Sequence, residues 1–221
     1  MLQNKIKDLI VLIPAFNESK SIKKVILNAK KIAKVIVVDD NSQDGTSLLS
    51  KKYSNYYIKN NKNLGYDFSI FKGINFIIKK IKNYEYIITI DGDGQHDTKY
   101  IRSMYNQIKN DKYDCIIGKR NKFNRVSEIL CGFFSKIFFG ISDPFSGMKC
   151  YKISHLAKNI KKINLKKKYG GIFSLYILSN FKEIDIKVNS NKDSKFGNSL
   201  RIEFMLIGIF FRLIFFKVFN K

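Results

Sequence analysis

The chain reads as an α/β protein, a mostly parallel sheet with helices on both faces. Three observations carry that reading. Short unbroken apolar runs, Asp8–Ile13, Val35–Val38 and Tyr86–Ile90, lack the alternation of a strand with one wet face. Segments with apolar residues at helical spacing separate them, the pattern of strand–helix–strand units. Polar and acidic residues then collect where the runs end, which is where open parallel sheets place their ligands.

Taken in order, Asp8–Ile13 is a strand buried on both faces and stopped by Pro14. Ile22, Val25, Ile26, Ala29, Ile32 and Ala33 recur at helical spacing, with Asn17 or Ser19 available as N-cap. Val35–Val38 is a second buried strand ended by Asp39-Asp40-Asn41-Ser42, and Thr46–Tyr53 a short helix. Tyr56–Lys59 is a weak third strand, and Phe68, Phe71, Ile74, Asn75 and Ile78 mark the helix after it. Tyr86–Ile90 is the fourth strand; Tyr100, Ile101, Met104, Tyr105 and Ile108 mark the next helix, and Asp114–Gly118 is a fifth strand. Beyond residue 120 the pattern loosens into an apolar stretch (Ile129–Ile141), a turn (Asp143–Gly147), a basic stretch (Lys158–Lys168) and a second apolar stretch (Ile172–Leu178). The tail from Leu200 to Phe219 is dominated by Phe, Ile and Leu, with Arg201, Arg212 and Lys217 interspersed, so it is not a clean amphipathic stripe.

Length and composition bound the function. With 221 residues the chain can bury a full core. Its 41 basic against 18 acidic residues give a formal charge of +23, which attracts polyanions in general: nucleic acid, anionic lipid or phosphorylated substrate. The same lysines also fit a plain bias toward Lys, Asn and Ile, which would leave most of them on solvated faces. Cys115, Cys131 and Cys150 are widely spaced with no CxxC pair, and read as buried free thiols of a reducing compartment. Met1–Asp8 is polar and runs into a strand, so no signal peptide is expected, and no run reaches the ~18 apolar residues of a spanning helix.

Asp91-Gly92-Asp93-Gly94-Gln95 carries the most chemistry. Two carboxylates one residue apart at the exit of a buried strand repel and must be paired or hydrated. A divalent cation resolves the conflict, and one held by few carboxylates takes its other ligands from substrate phosphates. An EF-hand loop would need Gly and Glu where His96 and Arg102 stand. Asp39-Asp40 could accept the N–H of a nucleobase edge, while Asp44-Gly45-Thr46 shapes a turn and opens a helix. Phe16 serves either as core or as a stacking platform. Neither G-x-G-x-x-G nor G-x-x-x-x-G-K-[ST] occurs, and no serine nucleophile motif accompanies His96 or His155, which disfavours dinucleotide oxidoreductases, P-loop enzymes and triad hydrolases.

Together these segments resemble family-2 glycosyltransferases of the GT-A fold, near the dolichyl-phosphate mannosyltransferase (polyprenyl-phosphate sugar transferase) branch. The resemblance runs through Ile13-Pro14-Ala15-Phe16-Asn17-Glu18, Val37–Thr46, Asn63-Leu64-Gly65, Asp91–His96, Gly118-Lys119-Arg120 and Asp143–Lys149. It implies a Rossmann-like transferase domain over residues 1–200, and the composition of 201–221 adds a hydrophobic, basic C-terminal helix. It further implies that Pro14, Ala15, Phe16, Glu18, Asp40 and Asp91 line the nucleotide pocket, and that Asp91, Asp93 and Gln95 coordinate Mg²⁺ or Mn²⁺. Arg120, Arg125 and Lys149 would face phosphate groups, and Lys195 would sit on a loop closing over the diphosphate. The chain departs from the family at Tyr66-Asp67-Phe68, where small residues are usual. It also lacks an acidic residue around Gly171–Leu178 and an arginine near Asn189-Ser190-Asn191.

The expected activity is inverting transfer from a nucleoside-diphosphate sugar to a lipid phosphate or a glycan. A lipid phosphate attacks unaided, since its second pKa is about 6. A sugar hydroxyl needs a base, for which Asp143 is the candidate beside a purely turn-forming role. The tail fits an anionic membrane surface, the core or a second subunit equally well. The expected setting is the cytoplasmic face of the membrane, with no nucleic-acid partner. A sugar-phosphate nucleotidyltransferase and a basic nucleic-acid-binding module are the alternatives.

Overall fold

The computed structural model describes residues 4–110, 112–123, 125–163, 169–188 and 200–219. A seven-stranded sheet forms its centre, in the order β3-β2-β1-β4-β6-β5-β7. The strands are β1 (Leu9–Ala15), β2 (Lys34–Asp39), β3 (Tyr56–Lys59), β4 (Tyr86–Thr89), β5 (Cys115–Arg120), β6 (Lys149–Lys152) and β7 (Phe181–Ile186). Only β6 is antiparallel, wedged between β4 and β5. All seven residues of β1 are buried, as its unbroken apolar run requires when helices cover both faces.

Alternate residues of β1 feed two cores. Ile10 and Leu12 face α3 (Tyr66–Lys80) through Ile70, Phe71, Ile74 and Ile77. Leu9, Val11 and Ile13 face α1 (Ile22–Lys30) through Ile22, Val25 and Ile26, and α4 (Tyr100–Asn110) through Ile101, Met104 and Ile108. The remaining helices are α2 (Thr46–Tyr53), α5 (Val126–Phe139), α6 (Ile153–Asn159), α7 (Phe173–Ile177) and α8 (Leu200–Phe219), with a 3₁₀ turn at Ile160–Lys162.

The five expected strands and the helices between them are present, with four differences. Pro14 does not stop β1, which runs on to Ala15 with Pro14 paired to Val38 of β2. Helix α1 ends at Lys30, and Ile32 and Ala33 are buried in the turn that leads to β2. Neither Asn17 nor Ser19 caps it; Ser21 holds that position without a side-chain cap bond, because its hydroxyl reaches Gly92 O (2.9 Å) and the Glu18 carboxylate (3.2 Å) instead. Strands β6 and β7 were not expected. Lys149-Cys150-Tyr151-Lys152 carries too much charge to read as buried, yet Lys149, Cys150 and Tyr151 are. The β7 segment alternates charge with apolar residues at a sheet edge.

The strand order sets where a ligand can lie. From β1 the chain winds outward to β2 and β3 on one side, and β4 lies on the other. The crevice beyond the carboxyl ends of β1 and β4 is therefore a topological switch point, the usual ligand site of such sheets. Helix α8 packs Ile209, Phe210 and Leu213 into the same core as α3 and α7. Among the described residues no helix is long and apolar enough to cross a membrane. Since Phe210 is fully buried, Phe210→Ala should destabilise the protein by about 3–5 kcal/mol, read as a lowered midpoint in chemical denaturation. A near-zero change would mean that α8 lies outside the cooperative unit.

Candidate active site

The loops after β1 and β2 are knitted by side chains that the sequence places at their turns. Asn17 and Asn41 both adopt positive φ (53° and 63°), a conformation asparagine tolerates. Asn17 N–H donates to Ser42 Oγ (3.0 Å), Gln43 N–H to Asn17 Oδ1 (2.9 Å) and Glu18 N–H to Thr46 Oγ1 (2.6 Å). Burial alone would raise the Asp44 pKa, but hydrogen bonds from Thr46 and Ser19 outweigh it and hold the carboxyl at about 2. The result is a stiff rim carrying Phe16, whose ring is partly exposed, above the buried Pro14 and Ala15.

Asp40 and Asp91 lie on the same sheet edge, on either side of the β1 terminus. Asp40 N–H donates to Ala15 O (2.8 Å), and Gly92 lies so close to Pro14 O that a Cβ would come within 3.3 Å of it. The Asp40 carboxylate accepts from Asn60 Nδ2 (2.7 Å), Leu64 N (2.9 Å) and Gly65 N (2.7 Å). It thereby fixes the Asn63-Leu64-Gly65 loop, where Gly65 takes φ 89° before α3 begins. Asp39 is fully buried and accepts from Ser42, Ser47 and Tyr57.

Asp91 sits low in the crevice with a third of its side chain exposed. Burial raises its pKa to about 6; the positive charges of Arg120 and Lys149 oppose that shift, the Glu18 carboxylate adds to it, and a hydrogen bond from Tyr66 lowers it. Asp93 Oδ1 accepts from Gln95 N (2.9 Å), which shapes the Asp91–Gln95 turn. Burial depresses His96 to about 4, so its ring is neutral near pH 7 and Nδ1 accepts from Asp91 N–H (3.3 Å). The 3.5 Å approach of that nitrogen to Asp91 Oδ2 is accordingly not an ion pair. Among the described residues no three His, Cys, Asp or Glu side chains form a closed metal cage. A desolvated carboxylate beside a second acid does suit a hard cation, with oxygen ligands from Asp91 and Asp93 and the rest from a substrate's phosphates.

The basic residues are less exposed than their expected phosphate contacts require. Arg120, at the end of β5, forms a two-pronged pair with Asp143, Nε to Oδ2 at 2.8 Å and Nη2 to Oδ1 at 2.9 Å, and its backbone N–H also donates to Asp143 Oδ2 (2.9 Å). Asp143 is only 1% exposed. Arg125 pairs with Glu128 (3.2 Å), which also lies 3.6 Å from Arg120. Lys149 is 2% exposed, with Nζ donating to Pro144 O (2.9 Å) and Gly171 O (2.6 Å), and burial lowers its pKa to about 8. Lys195 lies outside the described residues.

Four contributors were given no role from the sequence. Tyr66 hydrogen-bonds Asp91 from the start of α3. Asp67, next to it, accepts from the backbone N–H groups of Tyr169, Gly170 and Gly171, each at 2.9 Å, a nest made possible by positive φ at both glycines. These are the residues that depart from the family's small ones, and the departure was the signal. Glu128 gathers the two arginines. Gly147 leaves room for Asp91, since a Cβ there would lie 2.5 Å from Oδ1. Gly147→Ala should therefore displace that carboxylate and lower turnover by about 10–100-fold, with little change in melting temperature; unaltered kinetics would show that Asp91 has space to move.

Comparison with known proteins follows the same lines. The family profile described as "Glycosyl transferase family 2" matches residues 10–129, which span β1 through the start of α5. An uncharacterised Methanocaldococcus jannaschii protein is 34% identical over 142 residues, 61% of this chain and 62% of the relative, so the match spans less than two thirds of that relative's length. The UDP-N-acetylglucosamine–dolichyl-phosphate N-acetylglucosaminyltransferase of Methanococcus voltae is 26% identical over 94% of this chain and 95% of its own. Glucosyl-3-phosphoglycerate synthase of Mycobacterium tuberculosis, crystallised with Mn²⁺, UDP-glucose and phosphoglyceric acid, superposes with a TM-score of 0.71 at 12% identity, covering 95% of this chain and 79% of that one. The last shows a shared fold. Because the profile covers more than half of the chain, this protein belongs to glycosyl transferase family 2.

Proposed function

We propose that the protein transfers a sugar from a nucleoside-diphosphate sugar to a lipid phosphate of the polyprenyl type, with inversion at the anomeric carbon and dependence on Mg²⁺ or Mn²⁺. The observation that carries this reading is the placement of Asp91 at the switch point, desolvated, beside Glu18 and within the field of Arg120. A bound cation would supply charge neutralisation on the departing diphosphate. Pro14, Ala15, Phe16, Glu18 and Asp40 border the space for the nucleoside, and the knitted loops hold that border fixed before the donor arrives. Arg120 adds positive potential beside the same carboxylate. Lys195 is assigned to the diphosphate by resemblance alone.

The state of Asp143 supports a phosphate acceptor. A hydroxyl nucleophile needs a base, and both Asp143 oxygens are committed to Arg120 in a buried pair. We assign Asp143 to positioning that guanidinium. An acceptor already anionic near neutrality requires no proton removal. The Methanococcus voltae relative, whose name specifies a dolichyl-phosphate acceptor, agrees with this choice. Family membership argues against the nucleotidyltransferase and nucleic-acid-binding alternatives.

Two measurements test the reading. Asp91→Asn/Asp93→Asn should keep the fold by circular dichroism and lose about 10³-fold or more of cation-dependent transfer from a panel of nucleoside-diphosphate sugars to polyprenyl phosphate; retained turnover would remove the site assignment. The second is pH dependence. The folded pKa of Asp91, about 6, lies above its ordinary 3.8, so without cation this group favours the fold at low pH, and that contribution fades as pH rises from about 4 through about 6. Cation binding needs the carboxylate, so Mn²⁺ affinity by calorimetry should rise with pH through the same window. Asp91→Asn should abolish both trends.

A further inference from the structure

Among the described residues, most of the exposed large apolar side chains lie on the outer faces of α5 and α8. On α5, Val126 (76% exposed), Ile129, Leu130, Phe133 (64%) and Ile137 (63%) are spaced as one helical stripe, with the exposed Phe138 beside it. On α8 they include Leu200, Phe204 (71%) and Phe211. The helices lie side by side and run in the same direction, since Ser127 N–H donates to Glu203 (2.7 Å) and the Phe134 ring meets Phe211 at 6.0 Å. Each has a separate inward face: Cys131 and Ser135 on α5 are buried, as are Leu206, Ile209, Phe210 and Leu213 on α8. The outward stripes are therefore surplus to the core and adjacent to one another. A contiguous exposed patch of this kind marks an interaction surface.

The charges around it select the occupant. Each helix has a single acid, and both have protein partners: Glu128 is buried between Arg120 and Arg125, and the half-buried Glu203 accepts from the α5 N-terminus. Lys136 and Arg212 are exposed on these same helices, and the whole chain carries +23. Aromatic and aliphatic side chains bordered by cations, with the acid of each helix engaged by a protein partner, match an anionic bilayer surface. A second, equally basic copy would have to overcome its own repulsion.

We infer that the α5–α8 face is a membrane-docking surface for anionic lipid, lying in the headgroup region without spanning. Its position deepens the proposed reaction. Helix α5 begins at the Arg120–Glu128–Arg125 cluster beside the candidate site, so docking along its length brings the crevice to the bilayer from which a lipid-linked phosphate would be drawn. That last step rests on the transferase reading, whereas the docking does not.

The test is co-sedimentation of the full chain with phosphatidylcholine vesicles, with and without phosphatidylglycerol, in the absence of any sugar donor. Partition should favour the anionic vesicles. Phe133→Ser/Phe204→Ser should weaken it about tenfold or more with an unchanged melting curve, since both positions are exposed. Lys136→Gln/Arg212→Gln should weaken binding to anionic vesicles while leaving the weaker neutral-vesicle binding as it was. Asp91→Asn/Asp93→Asn should bind as the unsubstituted chain does, which separates loss of docking from loss of the transferase site. Docking is overturned if the unsubstituted chain ignores anionic vesicles or if Phe133→Ser/Phe204→Ser binds them equally well. It is also overturned if the chain forms a dimer that this double substitution dissolves, which would assign the face to a second copy.

Discussion

A carboxylate held in a partly enclosed crevice, with another acid across the β1 terminus, is the constraint on which the site depends. Asp91 would be unstable there without support: Arg120 and Lys149 supply opposing charge, and Tyr66 supplies a hydrogen bond. Each of these is itself anchored: Arg120 by Asp143, Lys149 by the carbonyls of Pro144 and Gly171, and Tyr66 by its place in the first turn of α3. The Asp67 nest holds the Tyr169–Gly171 turn to the start of that helix. Pieces far apart in the chain are thus joined through buried polar contacts, which stabilise only when every member is satisfied.

This arrangement separates groups that can meet a ligand from groups that hold them. Asp91, Asp93, Glu18 and Phe16 retain access to the crevice. Asp143, Glu128 and Lys149 are buried and committed to other protein groups. Removing one partner from such a buried pair leaves an uncompensated charge, a larger loss than the pair itself contributes. The same division lets the proposed site meet a phosphate-bearing donor with few arginines at its surface, because the cationic field comes from beneath.

Much of the sheet was legible because β1, β2 and β4 are apolar without interruption, which only burial on both faces explains. The turns after them were legible too, since Asn, Asp, Ser and Gly are the residues that such turns demand. Strand β6 was not, because its lysines read as solvated; Lys149 is buried because two carbonyls, one in the preceding turn and one 22 residues on, receive its ammonium. Similarly, Asp143 read equally as base or turn former. Its bond to Arg120 spans 23 residues and has no local signature.

The sequence alone therefore determined the α/β class, the acidic strand ends and their convergence on one edge. Those features follow from local periodicity and from the handedness of parallel strand connections. Tertiary structure decided which charged groups face the crevice and which support it from below, and which apolar residues of α5 and α8 remain outside. Burial of a polar or apolar side chain depends on what distant segments bring against it, and one chain's linear pattern does not contain that information.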